Sequence, residues 1–541
     1  LYLELHRGCA TSRPDEKRHN RSLERLLREA DLAAALCGEV GGEVGEGGSR
    51  TEALDWRTLL FHQFHDILPG TSIPEVFEQA EPEWRSARRR ARQRRDRRLG
   101  GCSVRCDQGG PGTETQAWRV LQLQPLPPAP RTVRLPAGRW SLPADGGTSP
   151  ARGTALAGQP APGGGQWIQL PGIAGVGVLP LRRTPPDPPG SPDPPDSPRA
   201  IDHPVHMEPA GDPRGGRWRL GNGLLTTAIG PLGVEQLWDG GGVPQLAAPL
   251  AWGRWQDRGE FWDAWDLAPR YRERPLPWSW QGEPQWIEQG PLCARFLWRG
   301  TCGSSAVRLD GRLLAGTPWL ELVLSVQWRQ RHELLRLEIP LARPAWRWAA
   351  DTSGGVIERP AAALTPRERQ RWEVPAISWL ASENGAGGVA VLLDGPQGVS
   401  AEAERLGVSL LRGPTWPDPG ADNGFQRQRL ALMACPGGWR AAAVPRLARR
   451  LREPLWCHPA LQGEVPAGWT PLPPLGDDLA LVGLRPAADG GGDVILSVQN
   501  EGPCRRRLDP GPHWRLVERL DGLDGRVGGA GLDGLGPWQL G

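Results

Sequence analysis

The chain has 541 residues, more than one hydrophobic core usually serves, and a formal net charge of +3, too small to mark the whole molecule as a polyanion binder. Glycine (73) and proline (58) are abundant, which favours a loop-rich, largely β chain over a helical one. Nine cysteines without a C-x-x-C pair argue against a disulfide framework or a thiolate metal site, and no apolar run of about 18 residues exists to span a bilayer. Cys102 and Cys106, the closest pair, are expected to be reduced. Lys17 is the sole lysine among 64 basic residues, a bias that reads as coding composition rather than selected arginine chemistry. The chain starts at Leu1 with no charged-then-apolar leader, so a fragment of a soluble, cytoplasmic protein is expected.

In chain order, residues 12–99 read as a helical bundle. "TSRPDEKRHNRSLERLLREADLAAAL" offers Ser12 as N-cap, Pro14, Asp15 and Glu16 in the first turn, and Leu23, Leu26, Leu27, Ala30 and Ala34 at helical spacing. A Gly-rich connection, 38–48, leads to a second helix expected from Thr51 through Trp56, Leu59, Leu60 and Phe64, until Pro69-Gly70 stops it. A third is expected to start at Ser72, with the capping-box spacing Ser72 to Glu75 and Pro74 in its first turn. It runs into "RSARRRARQRRDRRL" (85–99). That stretch reads as a solvated helix end rather than a nucleic-acid arm, because no aromatic residues interleave the arginines.

Beyond Gly100 the periodicity changes. Residues 100–200 read as a small β region carrying a Pro-rich linker, 183–200. From about 215, "LLTTAIGPLGVEQLWDG", "WLELVLSVQW", "ELLRLEIPL" and "GGVAVLLD" are short strands bounded by turn residues, implying large antiparallel β-sandwich structure over 201–470. "LALVGLRP" and "GDVILSVQN" mark a terminal β-domain, 471–541. The expected fold class is α+β multidomain: an N-terminal three-helix bundle followed by large antiparallel β-sandwich domains.

The sharpest chemical signal is "FHQFHDILPGTSIPEVFEQAE" (61–81). His62 and His65 are three apart, so on one continuous helix they lie near one face and two imidazoles there could share a metal. Asp66, read as sitting in the last helical turn, faces the negative end of the macrodipole. That costs about 0.3–1 kcal/mol unless a cation or hydrogen-bond donor answers it.

These residues carry a resemblance. "LYLELHRGCATSRPDEKRHNR" (1–21) followed by "WRTLLFHQFHDILPGTSIPEVFEQAE" (56–81) resembles the end of the catalytic domain and the helical central domain of glycoside hydrolase family 38, the zinc-dependent α-mannosidases, in their bacterial and cytosolic branch. The likeness continues in family order through "FWDAWDLAPRY" (261–271), "VQWRQRHELLRLEIPL" (326–341), "ERPAAALTPRERQRWEVPAISWLA" (358–381) and "GVAVLLDGPQGVSAEAERLGVSLLRGPTWPDPGADNG" (388–424).

The resemblance implies that His65 is a zinc ligand and that Asp66 binds the mannose hydroxyls. His62 matches no ligand and is expected to be a packing or second-layer group. The nucleophile, the acid and the other zinc ligands are expected in an N-terminal barrel, of which residues 1–11 would be the end, so no catalytic residue is expected in this chain. A mannose-containing oligosaccharide is the implied partner, with no nucleic acid and no membrane; a homo-oligomer is open. "RGCATS" places Cys9 and Ala10 where the family usually has threonine and tyrosine, and Gln426 and Cys435 stand near positions where relatives commonly carry histidines. Two other classes remain open: a non-catalytic glycan-binding β-sandwich using some of the 27 tryptophans, and a polyanion binder using 85–98.

Overall fold

The computed structural model describes residues 6–37, 46–101, 116–143, 153–185, 197–211, 216–259, 262–460, 470–476, 478–487, 492–521 and 533–541. Cys102, Cys106, most of the Gly-rich connection and the middle of the expected 183–200 linker lie outside these residues. The chain forms two compact units: residues 1–22, 57–86 and 203–452 in the first, and 23–56, 87–202 and 453–541 in the second.

Three long helices open the chain: α1 (Pro14–Cys37), α2 (Glu46–His62) and α3 (Pro74–Gly101). The apolar positions expected on α1 are its buried stripe, with Leu23, Leu26, Leu27, Ala30 and Ala34 all enclosed. The helix starts differ from those read off the sequence. Ser12 lies two residues ahead of α1, its hydroxyl donating to the Ala264 carbonyl at 2.7 Å, so it ties the chain to a distant loop. Likewise α3 starts at Pro74, which suits the first helical position because its missing N–H would be unpaired there anyway. Leu59 of α2 is buried, whereas Leu60 and Phe64, both expected on the second helix, are exposed, and Phe64 lies past the helix end.

The arginine run of α3 is woven into the helices more than a solvated end would be. Arg90 and Arg94 both pair with the fully buried carboxylate of Asp55 on α2, and Arg95 pairs with Glu29 on α1. Trp56 of α2 donates to Asp31 of α1 at 3.0 Å.

Among its described residues the first unit holds three antiparallel sheets of nine, six and four strands. The centre of the nine-stranded sheet joins Leu320–Trp328, Gly424–Ala434 and Val389–Asp394 in register from Leu320↔Leu432 to Leu393↔Leu430. Five consecutive residues, Val389–Leu393, are buried, so both sheet faces are covered. One cover is the helix Val444–Arg452, whose Val444, Ala448 and Leu451 pack with Trp379, Trp439, Ala431 and Met433.

In the second unit Gln116–Leu126 pairs with Gly175–Thr184 and with Trp456–Pro459, and Leu479–Pro486 forms a hairpin with Val494–Asn500. Thus residues 456–459 pair with the 116–126 strand although the sequence assigns them to 201–470. All strand ladders among the described residues are antiparallel.

Candidate functional site

α2 ends at His62, and the chain runs through consecutive turns to Pro74. Backbone bonds hold this segment: Ile67 N donates to Phe64 O at 3.0 Å, Gly70 N to Ile67 O at 3.0 Å and Thr71 N to Asp66 O at 2.9 Å. Gly70 has φ +80°, and a Cβ there would stand 2.5 Å from Arg13 Cβ and 2.7 Å from the Ser12 carbonyl oxygen. Only glycine meets both conditions, which explains why the chain can press the turn onto the start of α1. Lys17 locks it there. Its buried ammonium donates to the Pro69 carbonyl at 2.7 Å and to the Ser12 carbonyl. Burial lowers the Lys17 pKa to about 8, with Cys9, Asp422, Asp15 and Glu16 opposing the shift.

On this turn His65 is exposed, its side chain 76 % accessible, with Nε2 3.4 Å from Asp66 Oδ2. Asp66 Oδ1 accepts the Thr71 hydroxyl at 2.9 Å, so the carboxylate is oriented from its own turn. Two expectations are corrected. Asp66 stands four residues past the end of α2 rather than in its last turn, so the dipole penalty does not apply; the Thr71 hydroxyl is the donor that answers the carboxylate. For the same reason His62 and His65 share no helix face. His62 is buried 4.6 Å (ring to ring) from Trp84, with Nε2 3.0 Å from Glu83 Oε2, and burial holds its pKa below the ordinary histidine value against the pull of Glu83.

Two further segments meet the turn within the same unit. Residues 8–13 bond to the loop 262–266: Gly8 N donates to Trp265 O at 2.8 Å, and Cys9 Sγ lies 3.6 Å from the same oxygen. Arg412, fully buried, pairs with Asp257 and donates to Ser12 Oγ at 3.1 Å and to the Ala264 carbonyl. Asp422 accepts from the backbone N–H groups of Arg13 (2.7 Å) and Arg412 (2.9 Å), and burial raises its pKa to about 6. Burial likewise pushes the Cys9 thiol up to about 11, against the pull of Lys17 and Arg412. Cys9 is therefore a protonated packing group at neutral pH rather than a nucleophile.

Gln426 and Cys435 lie in the interior. Gln426 donates to the Asp422 carbonyl at 3.0 Å, and Cys435 belongs to the core around Trp439, where burial drives its thiol far above the usual range. No group of three or more His, Cys, Asp or Glu side chains is placed to hold a metal ion among the described residues. His65 and Asp66 supply two donors, and a zinc centre takes three or four protein ligands. A complete shell does not fit the described residues of this chain, and His65 can serve at most as one ligand.

No sequence argument singled out Lys17, Arg412 or Asp422 as supports of the turn. Their partners lie up to 409 residues away, as for Asp422 and Arg13, and only the folded chain joins them. Trp262 and Trp265 were visible only as part of a family-like string.

Comparison with known proteins agrees with this picture. Residues 4–100 match the α-mannosidase middle domain, and residues 220–420 match the C-terminal domain of glycosyl hydrolases family 38. Alpha-mannosidase 2C1 of Homo sapiens is 25% identical over 483 residues, which cover 87% of this chain and 42% of that protein. Alpha-mannosidase G of Dictyostelium discoideum is 24% identical, covering 82% of this chain and 42% of that protein. The chain thus spans about two fifths of the length of these relatives. The crystal structure of an alpha-mannosidase from Enterococcus faecalis V583 superposes with a TM-score of 0.79 at 13% identity, covering 99% of this chain and 68% of that one, which establishes a shared fold. With a middle-domain match at one end, a C-terminal-domain match over the large sheets and α-mannosidases as its relatives, the chain belongs to glycosyl hydrolase family 38.

Proposed function

We propose that this chain is the middle and C-terminal part of a zinc-dependent, retaining α-mannosidase that releases terminal α-mannosyl residues from oligosaccharides. In this reading Asp66 accepts hydrogen bonds from sugar hydroxyls, and His65 contributes one ligand to a metal whose other ligands come from outside this chain. The two carboxyl groups of a retaining glycosidase, about 5–5.5 Å apart, also come from outside it.

The observation that most supports this reading is the construction of the 65–71 turn. It sets the exposed His65 beside the half-buried Asp66, while Thr71, Gly70 and Lys17 fix the backbone and the carboxylate beneath them. Exposed polar side chains on a rigid, internally bonded loop are what ligand binding requires. The sugar hydroxyls would find Asp66 already oriented, so little ordering cost is left for the moment of binding.

The test is metal analysis beside a chromogenic aryl α-mannoside assay, on residues 1–541 and on the same chain joined behind the N-terminal part of a longer relative. The expected result is no turnover from residues 1–541 and zinc-dependent turnover from the joined protein. In the joined protein His65→Ala should lower both zinc occupancy and turnover, whereas Asp66→Ala should retain zinc and lose kcat/KM. Turnover by residues 1–541 alone, or a joined enzyme indifferent to His65→Ala, would refute the proposal.

A further inference from the structure

Eleven of the 27 tryptophans are buried core residues, and Trp84, Trp140, Trp328 and Trp379 are among the largest fully buried side chains. Trp262 and Trp416 are not, being 48% and 52% exposed, and with the half-buried Trp265 they form a cluster. Ring centroids are 5.6 Å apart for Trp262–Trp265, 6.3 Å for Trp262–Trp416 and 5.3 Å for Trp265–Trp416. The Trp262 plane stands at 82° to Trp265 and 65° to Trp416, so the indoles make a corner with exposed aromatic faces.

Leaving such large apolar surface in water is unfavourable, yet the mounting of the rings is rigid. Trp262 O accepts from Trp265 N at 3.1 Å and from Asp266 N at 2.9 Å, and Ala264 N donates to Trp416 O at 3.1 Å. The residues beside the two exposed rings are tied together as well. Buried Asp263 accepts from Thr415 N at 2.6 Å, and the Thr415 hydroxyl lies 3.1 Å from His332 Nε2. Asp263 and Thr415, the sequence neighbours of Trp262 and Trp416, thus join a carboxylate, a hydroxyl and the His332 imidazole at the segments that carry the two exposed rings. An apolar ring face on segments that also carry hydroxyl, imidazole and carboxylate groups suits a pyranose, which has an apolar C–H face and a rim of hydroxyls. The corner is also continuous with the site already described, because Trp265 O is the acceptor for Gly8 N and the neighbour of Cys9 Sγ, and the charge of Asp66 reaches Cys9.

We propose that Trp262, Trp265 and Trp416 form a pyranose-stacking subsite that holds a sugar ring next to the one addressed by Asp66. The identity of that sugar as part of a mannose-containing oligosaccharide rests on the proposed function; the stacking role does not. Residues 1–541 labelled with 5-fluorotryptophan, titrated with mannobiose and with cellobiose and followed by fluorine NMR, test it. The signals are assigned by Trp262→Phe, Trp416→Phe and Trp346→Phe, and exposed Trp346 serves as the control.

Mannobiose should shift the Trp262 and Trp416 signals saturably and leave Trp346 unmoved. Trp416→Ala should weaken binding about tenfold with the other signals in place, which separates lost stacking from lost fold. An equal response to cellobiose would uphold the stacking subsite and overturn mannose as its sugar. No saturable shift with either sugar in the millimolar range would overturn the subsite while leaving the zinc and His65 tests of the proposed function untouched. Shifts that follow protein concentration instead of sugar would overturn it in favour of a second copy covering the corner.

Discussion

Replacing Lys17 by methionine should change how stability depends on pH, by an amount that follows from its burial. The ammonium is enclosed and bonded to two carbonyls, and burial moves its pKa from 10.5 to about 8. A base with a depressed folded-state pKa is bound to its proton more weakly in the native than in the unfolded chain. Between pH 8 and 10.5 the unfolded chain therefore holds more protons, and stability rises with pH. Below pH 8 both states are charged and the native state carries the full penalty, about 3.4 kcal/mol at 1.36 kcal/mol per pH unit. Of this, about 2.5 kcal/mol is relieved between pH 7 and pH 10. Urea unfolding of wild type and Lys17→Met at both pH values gives the difference directly, with all other titrating groups cancelling. Wild type should gain about 2.5 kcal/mol on the variant between pH 7 and 10. A gap that is the same at both pH values would refute the claim that Lys17 is a buried, charged clamp on the His65 turn.

Glu16 should behave in the opposite sense. Burial, aided by Asp15, raises its pKa from 4.5 to about 7, so its contribution is fully present below pH 4.5 and lost as pH rises through 7. Glu16→Gln, which keeps an acceptor for the Trp84 indole at 2.8 Å, should become relatively more stable than wild type by on the order of 2–3 kcal/mol across that window in chemical denaturation. Asp55→Ala leaves Arg90 and Arg94 facing an empty site and should cost about 3 kcal/mol, the low end for a broken buried pair because Arg90 is a third exposed, read as a fall in Tm. Gly311→Ala would put a Cβ 2.1 Å from Phe296 Cζ in the nine-stranded sheet, and a loss of roughly 1–3 kcal/mol is expected; an unchanged midpoint would mean that the ring moves aside freely. His65→Ala, at an exposed position, should shift stability by less than about 0.5 kcal/mol, so any loss of zinc binding it causes is not unfolding.

The apolar stripe of α1 and the strands after residue 215 were legible in the chain because each is a local pattern. A 3.6-residue period and two-residue alternation act over one element and need no distant partner. The His65–Asp66 pair was legible in the same way, as residue types in an order that resembles a family. What the chain alone could not decide was where α2 ends relative to that pair. The helix stops at His62 because the following residues pack as turns against the start of α1, through a lysine 52 residues from Pro69 in sequence.

Likewise, nothing local distinguishes Trp416, half in solvent, from Trp379, sealed in a sheet, since both sit among apolar and turn residues. That difference arises only when Asp263, His332 and Thr415 meet, and their separations of 69 to 152 residues make the meeting a property of the tertiary fold. The arginine run shows the same division. Composition announces its charge, but the burial of Asp55 and Glu29 opposite it decides that much of this charge is spent inside the molecule.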